Sequence, residues 1–349
     1  MNFFWKKSFS KTQRYLFLVA LFAIVLSLIF VVIFKYNLTK QGQEKDNIIG
    51  TEEEKIEEST TSTLSFLNGV VVPLEITSSC AAVMIDNAPE VEKQFGLNAA
   101  ALVYEAPVEG GRTRFMAVYH LTTSTEQFIG PVRSARPYYL DWVQELNCLY
   151  THVGGSPEAL QKIKTANIFD LNEFYNGNYF WRSKNYVAPH STFTSLENLA
   201  AAFEKNKTEV VESEVSRWLF AKTETKDLES GEGFFEEKIG ESKIAWQFDQ
   251  NLKNWKRLVE GKSVQDEEGT VKAKNVVFQY VSAKVLDQEG RLSLTTVGRG
   301  KAVILKGSRV IKGTWEKTGT QERTKFFGPD TKEIEFNPGL TWVEIVPQF

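Results

Sequence analysis

The polar residues whose types can do chemistry are concentrated between residues 86 and 190. Short apolar runs there end in acids, arginines, histidines or glycines, and groups just beyond strand ends line the ligand crevice of an α/β sheet. Carboxylates and imidazoles transfer protons, arginines bind anions, and glycines let a backbone approach a ligand closely. The candidate ligand-binding residues are Asp86, Asn87, Glu105, Glu109, Arg114, Arg133, Ser134, Arg136, His152, Gly154, Gly155, Ser156 and His190.

Two of these groups are typical of anion sites. Arg133 and Arg136 precede a predicted helix, where free N–H groups and the helix dipole favour a carboxylate or phosphate. Gly154-Gly155-Ser156 precedes a second predicted helix, with Ser156 as its N-cap. The structural alternative is that the glycines serve turns and the arginines form internal ion pairs, with Glu105, Glu109 or Asp141 as partners.

His152 is a candidate general base, because it follows a predicted strand and Glu105 or Asp86 could orient its ring. The alternative is a hydrogen-bonded histidine of the core. A metal held by Asp86, His152 and His190 would have no diagnostic spacing, so neither a metal nor a cofactor is predicted. No residue is assigned as catalytic from the sequence.

The composition excludes some classes of protein. The 349 residues have a net charge of −3, whereas a protein that binds nucleic acid through its charge is usually basic. No nucleic-acid partner is therefore predicted. Two cysteines exclude a disulfide scaffold, and whether Cys80 and Cys148 pair stays open, because their α-carbons must approach within about 7 Å.

The N-terminal part contains one strongly apolar segment, Tyr15 to Phe34, which has no charged residue. As a helix it would be about 30 Å long, enough to cross the hydrocarbon core of a bilayer. Basic residues precede it and acids dominate the residues after it, so the positive-inside rule puts the N-terminus in the cytoplasm. A cleaved signal peptide and a buried core helix are the alternatives, but the run is long for the first and uniformly apolar for the second.

The chain is predicted to contain six segments. They are a cytoplasmic tail (1–14), a transmembrane anchor (15–34), an acidic Ser/Thr-rich tether (35–66), an extracytoplasmic α/β or α+β domain (67–203), a charged connector (204–243) and a mainly-β domain (244–349). Apolar runs that alternate with helical spacing favour α/β in the first domain. Strand-like runs separated by frequent glycines favour a mainly-β fold in the second domain. Most tryptophans of that domain are interpreted as core residues.

Several strings resemble the YerB-like family of bacterial cell-envelope proteins. They include Ala82–Asn87, Val108–Gly111, Gly130–Tyr138, His152–Ala159, Gly300–Val303, Ile311–Trp315 and Asn337–Val343. The resemblance extends from about Gly69 to Pro347 and implies a two-part domain of unknown function in the cell envelope. Many family members look like secreted lipoproteins, whereas here no lipid-attachment cysteine follows the apolar run.

Together these features predict a binding or accessory protein, anchored by a single pass in the bacterial plasma membrane with its bulk outside the cytoplasm. The compartment makes peptidoglycan or a wall-synthesis protein the expected partner. The alternative is an envelope hydrolase that uses Asp86, Glu105, His152 and Arg133 in one cleft. That alternative requires the side chains to meet within hydrogen-bond reach, directly or through one water. A purely structural tether is a third hypothesis, and it predicts no concave polar pocket.

Overall fold

The computed structural model describes residues 62–74, 79–121, 127–206, 217–222 and 233–349. The predicted tail, the predicted anchor and residues 35–61 of the predicted tether lie outside these described residues, so the anchor stays a prediction. Within the described ranges, no helix is both long and apolar enough to span a membrane. The folded part begins inside the predicted tether, because Ser62–Leu64 is a strand and Ser65 and Phe66 are buried.

The described residues form three α-helices and 25 β-strands. The helices are α1 (Tyr139–Leu146), α2 (Pro157–Thr165) and α3 (Leu196–Asn206). The strands up to residue 206 are β1 (Ser62–Leu64), β2 (Val71–Pro73), β3 (Cys80–Asp86), β4 (Leu102–Pro107), β5 (Thr113–His120), β6 (Phe128–Ile129), β7 (Leu149–His152), β8 (Asp170–Asn172), β9 (Trp181–Arg182) and β10 (Thr192–Ser195).

The later part of the chain is almost entirely strands. They are β11 (Leu219–Phe220), β12 (Phe234–Ile239), β13 (Ser242–Asp249), β14 (Asn254–Val259), β15 (Lys262–Ser263), β16 (Gln265–Asp266), β17 (Gly269–Thr270), β18 (Lys272–Ala273), β19 (Asn275–Val285), β20 (Leu292–Leu294), β21 (Gly298–Lys306), β22 (Arg309–Lys317), β23 (Lys325–Phe327), β24 (Glu335–Phe336) and β25 (Thr341–Gln348). Strand β12 lies within the predicted connector, so regular structure resumes before residue 244.

One large sheet, the central sheet, runs through both domains. Its strand order is β23-β22-β21-β19-β25-β4-β5-β3-β7-β8, and β20 pairs with β19 at its side. The two domains join where β25 pairs in parallel with β4. Because β5 is antiparallel to both β3 and β4, and β7 is parallel to β3, the strands β3, β4 and β7 end at the same edge of the sheet.

Both faces of the central sheet are covered, which explains why β3 is a continuous apolar run rather than an alternating one. On one face, Trp142 of α1 stacks on Tyr104 at 4.9 Å between ring centroids. On the other face, α3 and a second sheet built from β12, β13, β14, β15 and β18 supply the core. The sequence favoured core positions for most of the tryptophans of the second domain, and all four, Trp246, Trp255, Trp315 and Trp342, are buried.

A disulfide joins Cys80 and Cys148, whose α-carbons are 4.9 Å apart. Cys80 opens β3, and Cys148 immediately precedes the neighbouring parallel strand β7. The bridge therefore ties together the amino ends of two adjacent strands, and it answers the question that the sequence left open.

Candidate functional site

The candidate site lies at the edge where β3, β4 and β7 end. β3 and β7 pair directly at Ala81–Val83 and Leu149–Thr151, but their carboxyl ends separate, and the segment Gly130–Arg136 lies between them. Arg133 N–H donates to the carbonyl of Met84 at 2.9 Å, and Val153 N–H donates to the carbonyl of Arg133 at 3.0 Å. Separated ends of adjacent parallel strands form the crevice in which α/β sheets hold ligands.

Asp86, Arg133 and His190 meet at this edge, and we call them the Asp86 cluster. His190 Nδ1–H donates to Asp86 Oδ2 at 2.7 Å. Arg133 Nε lies 2.8 Å from the same oxygen, in an ion pair without the alignment of a hydrogen bond. Arg133 Nη1 also donates to the carbonyl of Pro189 at 3.2 Å, and Ala88 N–H donates to Asp86 Oδ1 at 3.0 Å. Asp86 thus holds two side chains from different loops, the guanidinium of Arg133 and the imidazole of His190.

Glu105 lies on the opposite face of the central sheet from Asp86. Successive strand residues point to opposite faces, and Glu105 pairs with Phe115 whereas Asp86 pairs with Arg114. Asn87 leans to the Glu105 side, where its amide donates to Glu105 Oε1 at 3.3 Å and to Thr113 Oγ1 at 2.6 Å.

Glu105, Arg257 and Glu344 form a second group, which we call the Glu105 cluster. Arg257 Nη2 donates to both carboxylate oxygens of Glu105 at 2.8 and 2.7 Å, and Arg257 Nε lies 3.8 Å from Glu344 Oε1. Glu344 stands beside Glu105 in register on neighbouring parallel strands. Burial, together with the adjacent charge of Glu105, raises the pKa of Glu344 well above its ordinary value. This cluster is sealed beneath Phe115 and Trp342, whose rings lie 5.6 and 5.5 Å from the Arg257 guanidinium carbon.

His152 is fully buried and takes the core role rather than that of a base. Its Nδ1 is 2.6 Å from the carbonyl oxygen of Gly154 and its Nε2 is 3.1 Å from Asp170 Oδ2, so both ring nitrogens are occupied. The ring stacks on Tyr150 at 5.0 Å. The alternative hydrolase cleft of Asp86, Glu105, His152 and Arg133 is therefore not formed. Only Asp86 and Arg133 are in contact, since Glu105 lies on the other face and both ring nitrogens of His152 are occupied.

Arg133 and Arg136 do not form one anion site either, because each holds a different carboxylate. Arg136 pairs with Glu109 through Nε–Oε1 and Nη2–Oε2 contacts of 2.6 and 2.9 Å. Burial alone would raise the pKa of Glu109, but the hydrogen bonds and charge of Arg136 outweigh it and lower that pKa. The structural alternative of internal ion pairs is what the structure shows. Arg136 pairs with Glu109, one of the expected partners, whereas Arg133 pairs with Asp86, which was not among them.

Arg114 and Ser134 link the two arginines. Arg114 Nη1 donates to the carbonyl of Ser134 at 2.6 Å, while its buried Nε has no hydrogen-bond partner among the described residues. Burial lowers the pKa of Arg114, and the nearby charges of Arg136 and Arg133 lower it further. Ser134 thus contributes its backbone carbonyl to this contact.

A pocket of about 260 Å³, here called the interdomain pocket, lies beside Arg136. Its first wall belongs to the N-terminal domain and its second to the β19–β20 hairpin of the C-terminal domain. Lining residues of the first wall include Glu109, Arg136, Tyr138, Asp141, Ser156, Glu158 and Lys162, and those of the second are Leu286, Arg291, Leu292, Ser293 and Leu294. Three sequence candidates, Glu109, Arg136 and Ser156, are thereby brought together.

The glycine and serine candidates after His152 have mainly local roles. Ser156 Oγ accepts from Ala159 N–H at 3.3 Å and caps α2, as predicted. Gly154 has φ +59, a left-handed conformation that favours glycine, and Phe174 packs over it. A side chain at Gly155 would crowd Ala135 and Leu160.

Several buried charges escaped the sequence analysis. Arg257 and Glu344 are two of them, and Glu145 of α1 is another, bound by Lys317 at 2.5 Å and Arg323 at 3.0 Å from the C-terminal domain. The signal that could have found Glu344 is a single charge inside the apolar strand run Thr341–Val346. In the described part of the chain, no group of three or more His, Cys, Asp or Glu side chains is placed to hold a metal ion.

Comparison with known proteins identifies relatives along most of the chain. The curated protein named "Putative lipoprotein YerB" from Bacillus subtilis (strain 168) is 28% identical over 276 residues, which cover 76% of this chain and 80% of that relative. The crystal structure of the YerB protein from Bacillus subtilis matches with a TM-score of 0.70 and 26% identity, over 82% of this chain and 97% of the other.

Two family models match consecutive parts of the sequence. The N-terminal domain of the protein of unknown function DUF3048 matches residues 67–209, and its C-terminal domain matches residues 237–343. These two matches coincide with the two parts of the resemblance noted from the motifs, which is confirmed. The chain therefore belongs to the DUF3048 family and is a homologue of YerB.

Proposed function

We propose that this chain is a binding or accessory protein of the bacterial cell envelope, held at the plasma membrane by residues 15–34, with its ligand in the interdomain pocket. The observation that carries the proposal is a concave site into which both domains send charged side chains. The lipoprotein name of the homologue and the Cys80–Cys148 disulfide support an extracytoplasmic location, because disulfides persist in oxidising compartments.

The pocket suits a ligand that carries both amino and carboxylate groups. Its lining includes three ion pairs: Arg136–Glu109, Lys162–Asp141 at 2.6 Å and Arg291–Glu158 at 2.7 Å. A ligand with both charges can exchange partners with these pairs and leave no charge unpaired in a partly desolvated site. Leu286, Leu292 and Leu294 offer an apolar surface opposite them. Peptidoglycan, whose peptides carry both kinds of group, is the ligand that we propose.

Sedimentation of the full chain with purified peptidoglycan tests this function. The double variant Arg136→Gln/Lys162→Gln removes two cations from the pocket, and we expect its dissociation constant to rise about tenfold or more, since a charge-assisted hydrogen bond contributes roughly 1.5–3 kcal/mol. The matched control is Arg299→Gln/Lys301→Gln, which removes two exposed cations from β21.

A second variant separates binding from folding. Glu109→Gln/Arg136→Gln removes a whole ion pair, so that no charge is left buried alone, and its thermal unfolding should resemble that of the wild type. The proposal fails if the wild type does not sediment with peptidoglycan. It also fails if the pocket variants bind as the β21 control does.

A further inference from the structure

We propose that the Asp86 cluster is a hydrolytic site in which His190 activates a water molecule for attack on an acyl ester. The cluster is separate from the interdomain pocket, so this inference and the proposed function stand or fall independently. It also differs from the hydrolase that the sequence offered as an alternative, because His190 replaces His152 and Glu105 has no part in it.

The orientation of His190 is the first support. A carboxylate accepts hydrogen bonds only, so the Nδ1–Oδ2 contact of 2.7 Å places the proton of the neutral ring on Nδ1. The lone pair is then on Nε2, which receives no hydrogen bond from any described residue and is not fully buried. A buried aspartate that fixes a histidine tautomer, with the other nitrogen free, is the arrangement of a general base.

Arg133 is the second support. Nε of Arg133 forms an ion pair with Asp86, and Nη1 donates to the Pro189 carbonyl. Nη2 has no partner among the described residues and is not fully buried. Both free nitrogens are thus placed through the same carboxylate oxygen of Asp86, whose side chain is only 4% exposed. A guanidinium N–H held by the same carboxylate as a general base can receive the negative charge that develops on a carbonyl oxygen.

With these groups, ester hydrolysis proceeds in two steps. Water gives one proton to His190 Nε2 as its oxygen bonds to the ester carbonyl carbon, and Arg133 Nη2 binds the resulting oxyanion. The carbon–oxygen bond to the alcohol then breaks, and the proton on Nε2 passes to the leaving alkoxide. The products are a carboxylic acid and an alcohol. In the described part of the chain no serine, threonine or cysteine is bonded to Nε2, so water rather than a side chain is the nucleophile.

The test is hydrolysis of 4-nitrophenyl acetate by the full chain. We expect His190→Gln to lower the rate at least tenfold, since general-base catalysis typically contributes about 10²–10⁴. Asp86→Asn should lower it too, because an amide no longer fixes the ring tautomer. Arg133→Gln should lower kcat with little change in KM, because its contact forms in the transition state. The matched control is His120→Gln, which changes a histidine on β5 away from the cluster.

The pH profile separates a base from a structural residue. A general base acts only in its unprotonated form, so the wild-type rate should rise with pH, and this rise should be lost in His190→Gln. Asp86 and, across it, Arg133 are the charged groups of the cluster. Circular dichroism checks that each variant is folded. The proposal is overturned if folded His190→Gln retains the wild-type rate. It is also overturned if mass spectrometry finds an acylated His190, because the histidine would then be the nucleophile instead of a base for water.

Discussion

The Asp86 cluster and the Glu105 cluster use the same chemistry in different surroundings. Each sets an arginine against a carboxylate of the central sheet, and the two carboxylates lie on strands separated only by β5, on opposite faces. In the Glu105 cluster the side chains of Glu105 and Glu344 are 0% exposed and that of Arg257 is 2% exposed. In the Asp86 cluster Arg133 is 20% exposed and His190 is 15% exposed.

This difference decides what each cluster can do. The Glu105 cluster joins β4 of the N-terminal domain to β14 and β25 of the C-terminal domain, and a ligand would have to open the core to reach it. Desolvation there, together with the charge of Glu105, raises the pKa of Glu344 well above its ordinary value. The Asp86 cluster is anchored as firmly at Asp86 but keeps two nitrogen atoms free. A sealed cluster therefore stabilises the fold, and an open one is available for chemistry.

The largest expected effect on stability, and the clearest difference between the clusters, comes from replacing the arginine of each cluster by methionine. Arg257→Met leaves Glu105 buried without its cation, and we expect the free energy of unfolding to fall by about 3–5 kcal/mol. Arg133→Met leaves Asp86 with its bonds from His190 and Ala88 N–H, and the fall should be about 1 kcal/mol. Urea denaturation measures both. Equal losses in the two variants would contradict the distinction between the sealed and open clusters.

The two ends of β3 and β7 also differ. The disulfide joins their amino ends, whereas the Asp86 cluster lies where their carboxyl ends separate. Cys80 and Cys148 are 68 residues apart, so Cys80→Ala/Cys148→Ala frees a long loop in the unfolded chain and should lower stability by about 2–4 kcal/mol. Urea denaturation in non-reducing buffer measures it. A stability equal to that of the oxidised wild type would show that this end needs no bridge.

Strand positions were predictable from the sequence, whereas the faces of the sheet were not. The apolar run before Asp86 and the Ser156 cap are local signals, and both appear as expected. Asp86 and Glu105 separate because strand side chains alternate, so a shift of one residue in register moves a group to the other face. The sequence does not specify this register, which is set by the pairing of β3 and β4 with β5.

The partners of the site residues were missed for a related reason. Arg257 is 152 residues from Glu105, and it meets Glu105 only because β25 pairs with β4 and brings the second sheet over that face. His190 reaches Asp86 from an irregular segment without periodicity, whereas His152 follows a clear strand pattern. Local patterns therefore favoured His152 as the partner of Asp86, whereas the tertiary arrangement brings His190 to it.

The carboxyl pair of the sealed cluster predicts a pH dependence. Burial raises the pKa of Glu344 in the folded protein, so above the ordinary carboxyl range the folded state retains a proton that the unfolded state releases. This group therefore makes stability fall as pH rises from that range towards the folded-state pKa. Glu344→Gln removes the titration, so its stability relative to wild type should increase from pH 5 to pH 8. Denaturation curves at both pH values check this, and a constant difference would contradict it.

The smallest expected effect is the salt dependence of the ion pairs, and it tests most directly whether solvent reaches each cluster. The coupling between Asp86 and Arg133, from a double-mutant cycle with Asp86→Asn and Arg133→Gln, should weaken by about 0.3 kcal/mol when salt is raised from low to near-molar concentration, because ions reach a partly exposed pair. The corresponding cycle with Glu105→Gln and Arg257→Gln should not change, since ions do not enter the sealed cluster. If both couplings weaken equally, solvent reaches Glu105 and the sealed cluster is no longer distinct from the open one.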